Sequence, residues 1–264
     1  MEILLEVRNL SKKFCSHSGL FHRKQIVQAV KSISVTLQKG QTLAVIGKNG
    51  SGKSTLAKML AGMIEPSTGE ILIEGHQLSY GDYAYRSQRI RMIFQDPSTS
   101  LLNPRQRIGQ LLDTPLKLNT TLDASAREQH IYQTLRQVGL LPNHADYYPH
   151  MLASGQKQRI ALARALILQP KVIVADEALA SLDMSIRSQI INLMLELQEK
   201  HDIAYVYVTQ HLGIMKHISD QVIVMHEGEV VERGNTAEVL AAPSHDFTKR
   251  LIASHFGEEI LTEA

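Results

Sequence analysis

Cysteine is nearly absent: Cys15 stands alone in 264 residues, so no internal disulfide can form. A secreted disulfide scaffold is thereby excluded, and a lone thiol suits a reducing compartment. Charge of one sign is also lacking. The net charge is +2, too small to argue for a nucleic-acid partner, and none is expected. No apolar run approaches the ~18 residues that a membrane-spanning helix needs. If the protein acts at a membrane, another chain must supply the spans. The start, Met1-Glu2-Ile3-Leu4-Leu5-Glu6, carries acids and no basic stretch, so it does not read as a secretory signal. Internal repeats and low-complexity tracts are missing too. What remains is 44% hydrophobic and 20% charged, an ordinary globular balance. This length allows one large α/β domain, or one domain with a substantial insertion.

Strand-like and helix-like segments alternate. Leu4 to Val7, Val30 to Leu37, Gln41 to Ile46, Ile71 to Ile73 and Ile90 to Phe94 read as strands. Cys15 to Lys24 is polar and basic and reads as a loop or hairpin. A helix is expected to start at Thr55. From Asp96 to about Gln158 helical spacing takes over. There Leu122-Asp123-Ala124-Ser125 offers an N-cap to a helix carrying Ile131, Leu135 and Val138 and ending at Gly139. Strand texture returns at Val172 to Ala175, Ala204 to Val208 and Val222 to Met225. Between the first two lies a long amphipathic helix with Ile186, Ile190, Leu193, Met194 and Leu197 on one face. The alternation implies an α/β fold with a mainly parallel sheet covered on both faces, plus a helical second lobe.

One segment carries phosphate chemistry. Gly47-Lys48-Asn49-Gly50-Ser51-Gly52-Lys53-Ser54 fits the G-x-x-x-x-G-K-[ST] pattern, with Thr55 following, between an expected strand and an expected helix. Glycines let such a loop wrap a phosphate chain and turn its N–H groups inward. The helix N-terminus adds partial positive charge. Lys53 is expected to reach the β- and γ-phosphates, and Ser54 to hold Mg²⁺. A second segment, Val172-Ile173-Val174-Ala175-Asp176-Glu177, is a strand ending in two acids. Acids there face the ligand crevice of an open α/β sheet. Asp176 suits Mg²⁺ through water, and Glu177 suits orienting or deprotonating an attacking water. Paired acids at a strand end can also serve as N-caps for the next helix.

Five further groups complete the pattern: Phe14, Gln95 in Ile93-Phe94-Gln95-Asp96-Pro97, Leu152-Ala153-Ser154-Gly155-Gln156, Ser181-Leu182-Asp183, and His211 in Thr209-Gln210-His211. In their order the chain resembles, over almost its whole length, the nucleotide-binding subunits of ATP-binding cassette transporters. The resemblance implies one such domain over 1–264, a P-loop NTPase (RecA-like) core with an N-terminal antiparallel β subdomain and an inserted α-helical subdomain. The core with its β subdomain would comprise 1–95 and 159–264, and the helical insert 96–158. It implies an ATPase using ATP and Mg²⁺. Phe14 would stack on adenine, and Gln95 would touch Mg²⁺ and the water. Leu152, Ala153, Ser154, Gly155 and Gln156 would form the signature loop acting on ATP held by a partner. Ser181, Leu182 and Asp183 would cross a dimer interface, and His211 would contact the γ-phosphate. Lys53, Gln95, Glu177 and His211 would be catalytic, with Ser54, Gln95 and Asp176 around the metal.

Phe94-Gln95-Asp96-Pro97-Ser98-Thr99-Ser100, Asn103-Pro104-Arg105 and Tyr148-Pro149-His150 are similar to segments of the dipeptide/oligopeptide importer ATPases. That branch implies peptide cargo, antimicrobial peptides included, with polyamine transport or regulation of an ion-uptake system as the alternative. It implies a second ATPase subunit, different or identical, two transmembrane permease subunits and an extracytoplasmic substrate-binding protein. It also implies a place on the cytoplasmic face of the bacterial inner membrane. Two departures stand out. Ala153 and Ser154 replace the usual serine and glycine of the signature, and Leu101-Leu102 holds one residue more than the family's S-L-N-P. No cysteine follows Cys15, so a cysteine-held iron–sulfur cluster is excluded beyond it. Arg86, Arg89, Arg91, Arg105 and Arg107 form a basic stretch, read as a solvated or internally paired face or as a contact for a membrane partner. His17, His22, His144 and His150 show no zinc-site spacing with cysteine.

Overall fold

A computed structural model describes residues 2–16, 25–96 and 103–256. The chain divides into two compact units, Met1–Asp82 with Ala204–Ala264, and Tyr83–Ile203.

The first unit opens with two long strands, β1 (Ile3–Ser16) and β2 (Gln25–Gln38), paired antiparallel. Both run past the segments that apolar alternation marks out. Cys15 and Ser16 are strand, not loop, because they pair with Ile26 and Gln25. Cys15, Ile26 and Val27 are exposed there, so backbone hydrogen bonds and not a buried face carry the pairing. Next come β3 (Thr42–Ile46), α1 (Lys53–Leu60), β4 (Thr68–Ile73) and the short β5 (His76–Gln77). β2, β1, β4 and β5 form an antiparallel sheet in that order. This is the expected N-terminal β subdomain.

The second unit holds α2 (Tyr83–Arg89), β6 (Ile90–Ile93), α3 (Ile108–Asn119) and α4 (Ala124–Gln137). Two 3₁₀ turns follow, Pro142–Asp146 and Pro149–Met151. Then come α5 (Ser154–Leu166), β7 (Val172–Asp176) and α6 (Met184–His201). Within the expected N-cap segment it is Asp123 that caps α4, its carboxylate accepting from the Ala126 N–H at 2.8 Å. Such a cap contributes ~1 kcal/mol. Of the apolar stripe expected on α6, Ile190, Leu193, Met194 and Leu197 are buried, whereas Ile186 is only half-buried. The unit therefore takes in α2, β6, β7 and α6 besides the helices between 96 and 158.

The chain returns to the first unit with β8 (Ala204–Val208), α7 (Leu212–Ile218), β9 (Gln221–His226), β10 (Glu229–Asn235), α8 (Thr236–Ala241) and α9 (Asp246–Phe256). Here β3 lies parallel to β8 on one side and to β9 on the other, and β10 is antiparallel to β9. Strand β3 is buried on both faces, which is why Thr42–Ile46 reads as a nearly continuous apolar run. Its Ala44 and Ile46 pack with Leu212, Met215, Val222, Val224, Val239 and Phe247. Each buried aliphatic side chain in such a cluster contributes roughly 1.5–3 kcal/mol. That packing holds the edge from which the next loop departs.

Among the described residues, no helix is long and apolar enough to cross a membrane.

Candidate nucleotide site

In the first unit, β3 ends at Ile46 and β8 ends at Val208, side by side and parallel, with Val45 paired to Val208. Both chains therefore emerge at the same carboxyl edge, where open α/β sheets bind ligands. From β3 comes the glycine loop, and from β8 come Thr209, Gln210 and His211.

The loop is tightly built. Ser51 N–H donates to Lys48 O at 3.2 Å, and Gly228 N–H donates to Ser51 O at 3.1 Å. Helix α1 begins at Lys53, two residues before the expected start, because Gly52 takes the N-cap with φ 100°. A Cβ at Gly52 would lie 2.2 Å from Ala29 O, and one at Gly47 would lie 2.2 Å from Met225 O. Only glycine fits either place. Lys53 is buried, and its ammonium donates to Gly47 O at 2.8 Å and Lys48 O at 2.9 Å, straddling the loop. Ser51 Oγ is buried with no hydrogen-bond partner among the described residues. A buried hydroxyl costs stability unless something bonds it. A lysine ammonium, an unmatched hydroxyl and a helix N-terminus in one loop are the donor set for phosphate oxygens.

Around the loop, Lys48, Asn49 and Gly50 are exposed, as is Ser54, while Thr55 is half-buried. Gln210 Nε2 donates to Asn49 Oδ1 at 2.7 Å, tying the β8 loop to the glycine loop. His211 is exposed at the N-cap of α7, and its backbone N–H donates to the buried Thr209 Oγ1 at 3.0 Å. Phe14 lies on β1 opposite Val27 and is 40% exposed. Lys12 Nζ sits 5.2 Å from the centre of that ring.

The second unit repeats the edge arrangement. β6 and β7 are parallel with Ile93 paired to Ala175, so Gln95 and the acids Asp176 and Glu177 leave from one carboxyl edge. Gln95 is exposed, Asp176 is buried and Glu177 is half-buried. Glu177 has φ 47°, a left-handed backbone rare for glutamate. Glu74 and Glu227 share that conformation, so the backbone alone does not set Glu177 apart. Ala180 N–H donates to Glu177 O at 3.0 Å and closes the turn. The N-cap role of strand-end acids falls instead to Asp183, whose carboxylate accepts from Ile186 N–H at 3.0 Å at the start of α6. Leu182 is packed inside the chain, so Ser181 and Asp183 form the exposed part of that loop.

The loop Leu152–Gln156 forms the N-terminus of α5. Leu152 is buried, Ala153 is the N-cap, and Ser154 opens the first turn. Gly155 faces Ile186, which a Cβ there would meet at 2.9 Å. Ala153 and Ser154 are exposed, with Ala153 N–H donating to Gln156 Oε1 at 3.0 Å.

The arginine stretch is not one face. Arg86 is buried, and burial with Arg164 nearby pulls Arg91 down to about 10. Arg107 is exposed and pairs with Asp146 at 3.3 Å. The spacing of these arginines in sequence hid a change from helix to strand at Ile90. Pro97 to Leu102, with the extra leucine, and His17 and His22 lie outside the described residues. Thr209, Gln210 and His144 are named in the sequence without the roles their contacts give them: the first two only as neighbours of His211, the third only as a histidine without zinc-site spacing. Gln210 at least had a signal, its place beside His211.

A glycine loop bearing a buried lysine, ahead of a helix at a parallel-sheet edge, defines a P-loop nucleotide-binding protein. A family model described as ABC transporter matches residues 30–180. The whole chain is 71% identical to the "Putrescine export system ATP-binding protein SapF" of Escherichia coli (strain K12), covering 98% of it. At the same identity and coverage it matches the "Peptide transport system ATP-binding protein SapF" of Salmonella typhimurium (strain LT2). It is 41% identical over 254 residues, 95% of this chain and 77% of the relative, to the "Dipeptide transport ATP-binding protein DppF" of Haemophilus influenzae. Among solved structures, cbiO1 from Clostridium perfringens, part of the ABC transporter complex cbiONQ, superposes with a TM-score of 0.77. That match has 28% identity and covers 99% of this chain and 98% of the other. A dimeric ATP-binding cassette bound to ADP and Pi gives 0.76 at 25% identity, covering 88% and 99%.

The chain belongs to the ABC transporter family, in its dipeptide/oligopeptide importer branch, and it binds and hydrolyses ATP.

Proposed function

We propose that this chain is the energising subunit of a multi-subunit peptide transporter, carried above all by its 71% identity along the full length to SapF proteins named for peptide transport. It would work on the cytoplasmic face of the bacterial inner membrane, paired with a second cassette subunit. Two transmembrane permease subunits and an extracytoplasmic substrate-binding protein would complete the assembly. Residues 96–158 would form the helical insert that meets the permeases.

The roles follow from the chemistry of the side chains. The loop Gly47–Thr55 would wrap the phosphates with its N–H groups, and Phe14 would stack on the adenine. Lys53 would neutralise charge building on the β- and γ-phosphates, and His211 would donate to the γ-phosphate. Ser51 Oγ, buried without a partner, would gain a phosphate oxygen. Ser54, Gln95 and Asp176 would hold Mg²⁺, since a hard cation takes oxygen ligands. When bound, the metal lends positive charge to the phosphate oxygens. Glu177 would orient the attacking water and take its proton. The water oxygen bonds to the γ-phosphorus, the bond to the β–γ bridging oxygen breaks, and ADP and phosphate leave. Leu152, Ala153, Ser154, Gly155 and Gln156 would close over the nucleotide of the partner cassette, with Ser181, Leu182 and Asp183 at the same interface.

The signature bears a testable defect. Ala153 stands at an N-cap with φ −67° and ψ 162°, where a serine hydroxyl could accept from the Gln156 N–H. Ala153→Ser is expected to stabilise the chain by ~1 kcal/mol. Restoring a hydroxyl donor to the partner's γ-phosphate is expected to raise turnover at that site severalfold, read as single-site ATPase rates in the assembled complex. No gain would show that the hydroxyl missing at Ala153 does not limit turnover at that site.

A second reading, putrescine export, rests on the name of the Escherichia coli (strain K12) relative. Reconstituting the chain with its co-purifying permeases in proteoliposomes separates the two. ATP-dependent movement of labelled peptide, with none of labelled putrescine, is the expected result, and the reverse overturns it.

A further inference from the structure

We propose that His144 is a positioning residue for the loop Leu152–Gln156, acting through Gln156. The proposal rests on the reading that this loop acts on a nucleotide held by a partner cassette.

Gln156 is the third residue of α5, and its side chain turns back on the helix start. Its Oε1 accepts from the Ala153 N–H at 3.0 Å, one of the donors that a helix N-terminus leaves unmatched. In a full capping box the N-cap side chain would answer with a second bond. Ala153 has no atom to do so, so Gln156 carries the side-chain capping alone. The far side of the same amide meets His144: Gln156 Nε2 lies 3.3 Å from His144 Nε2. With Oε1 committed to Ala153, it is the amide nitrogen that faces the ring. At the other end of the ring, the Leu141 N–H donates to His144 Nδ1 at 3.1 Å, and Leu141 O lies 3.0 Å from the same nitrogen. Both ring nitrogens thus have polar neighbours that hold the ring.

The ring itself is held in place. His144 is buried, with its centroid 5.0 Å from that of Tyr147. It belongs to the 3₁₀ turn Pro142–Asp146, closed by His144 N–H to Leu141 O and Tyr147 N–H to His144 O. Tyr147 O in turn accepts from Ile108 N–H, the first residue of α3, at 2.9 Å. A continuous path of hydrogen bonds and covalent turns therefore runs from the start of α3 through His144 to the Ala153 amide. The imidazole and the Gln156 amide are its side-chain links, and loss of the imidazole leaves the backbone of both turns intact.

The test compares His144→Phe, which keeps the ring volume without its nitrogens, with His144→Gln, which returns a polar amide to the place that faces Gln156. In the full chain, hydrogen exchange at the Ala153 amide is expected to quicken at least fivefold in His144→Phe and to return toward wild type in His144→Gln. In the assembled transporter, His144→Phe is expected to lower kcat for ATP three- to tenfold with KM unchanged, and His144→Gln to recover most of it. Wild-type exchange in His144→Phe overturns the proposal. So does equal damage in both variants with a matching fall in Tm, which marks a packing role. Quickened exchange with unchanged kcat overturns the link from loop position to hydrolysis. Failure of the wild-type chain to bind ATP is a different result, which defeats the nucleotide reading and leaves the exchange comparison to judge the latch.

Discussion

Gly52→Ala is expected to abolish useful nucleotide binding, lowering affinity at least a hundredfold, while Gly50→Ala retains most of it. Both positions have a positive φ, 100° and 79°. The left-handed backbone alone costs an alanine roughly 1–2 kcal/mol at either one. They differ in surroundings. Nothing lies within 4 Å of a Cβ at Gly50, whereas one at Gly52 would stand 2.2 Å from Ala29 O. That oxygen is backbone, next to Val30, which is paired with Lys12 across β1 and β2. It cannot swing aside as a side-chain tip would, so the glycine loop must move. Moving it disturbs the Gly228 N–H to Ser51 O bond and the placement of the Lys53 ammonium over Gly47 O and Lys48 O. A hundredfold loss corresponds to about 2.8 kcal/mol, the scale of one or two charge-assisted hydrogen bonds to phosphate. Titration of each variant with a fluorescent ATP analogue reads the effect. Affinities of the two variants within threefold of each other would show that the contact with Ala29 does not govern the loop.

Glu177→Gln is expected to cut ATP turnover at least a hundredfold and to leave ATP affinity within a few-fold of wild type. A positioned general base contributes ~10²–10⁴ in rate, and glutamine keeps the shape of glutamate without its basicity. The change should not disturb the fold. Glutamine meets the φ of 47° at the same cost as glutamate, and the Ala180 N–H to Glu177 O bond belongs to the backbone. Single-turnover hydrolysis beside an equilibrium binding measurement separates the two effects. Unchanged turnover would take Glu177 out of the proton-transfer step, and lost binding would place it among the groups that hold the nucleotide.

Much of this protein is visible in local pattern. The glycine loop before a helix, the acids ending β7, and an N-cap of α4 between Leu122 and Ser125 are each set by a few neighbouring residues, and each stands where expected. Strand lengths are another matter. β1 extends to Ser16 because β2 offers ladder partners, and no alternation of side chains records that. The arginines from 86 to 107 look alike in the chain, yet Arg86 is buried and Arg107 lies exposed beside Asp146.

Residue order alone determined that the chain is an α/β protein with a phosphate loop and an acidic strand end, because those features depend on contacts between near neighbours. Tertiary structure alone decided why Gly52 must be glycine, since the obstacle is a carbonyl from another strand. It also decided that His144 reaches Gln156, a pairing made by the geometry of a 3₁₀ turn and a helix start. Close packing brings together atoms that the linear order keeps apart, and it settles which of many identical residue types carries a constraint.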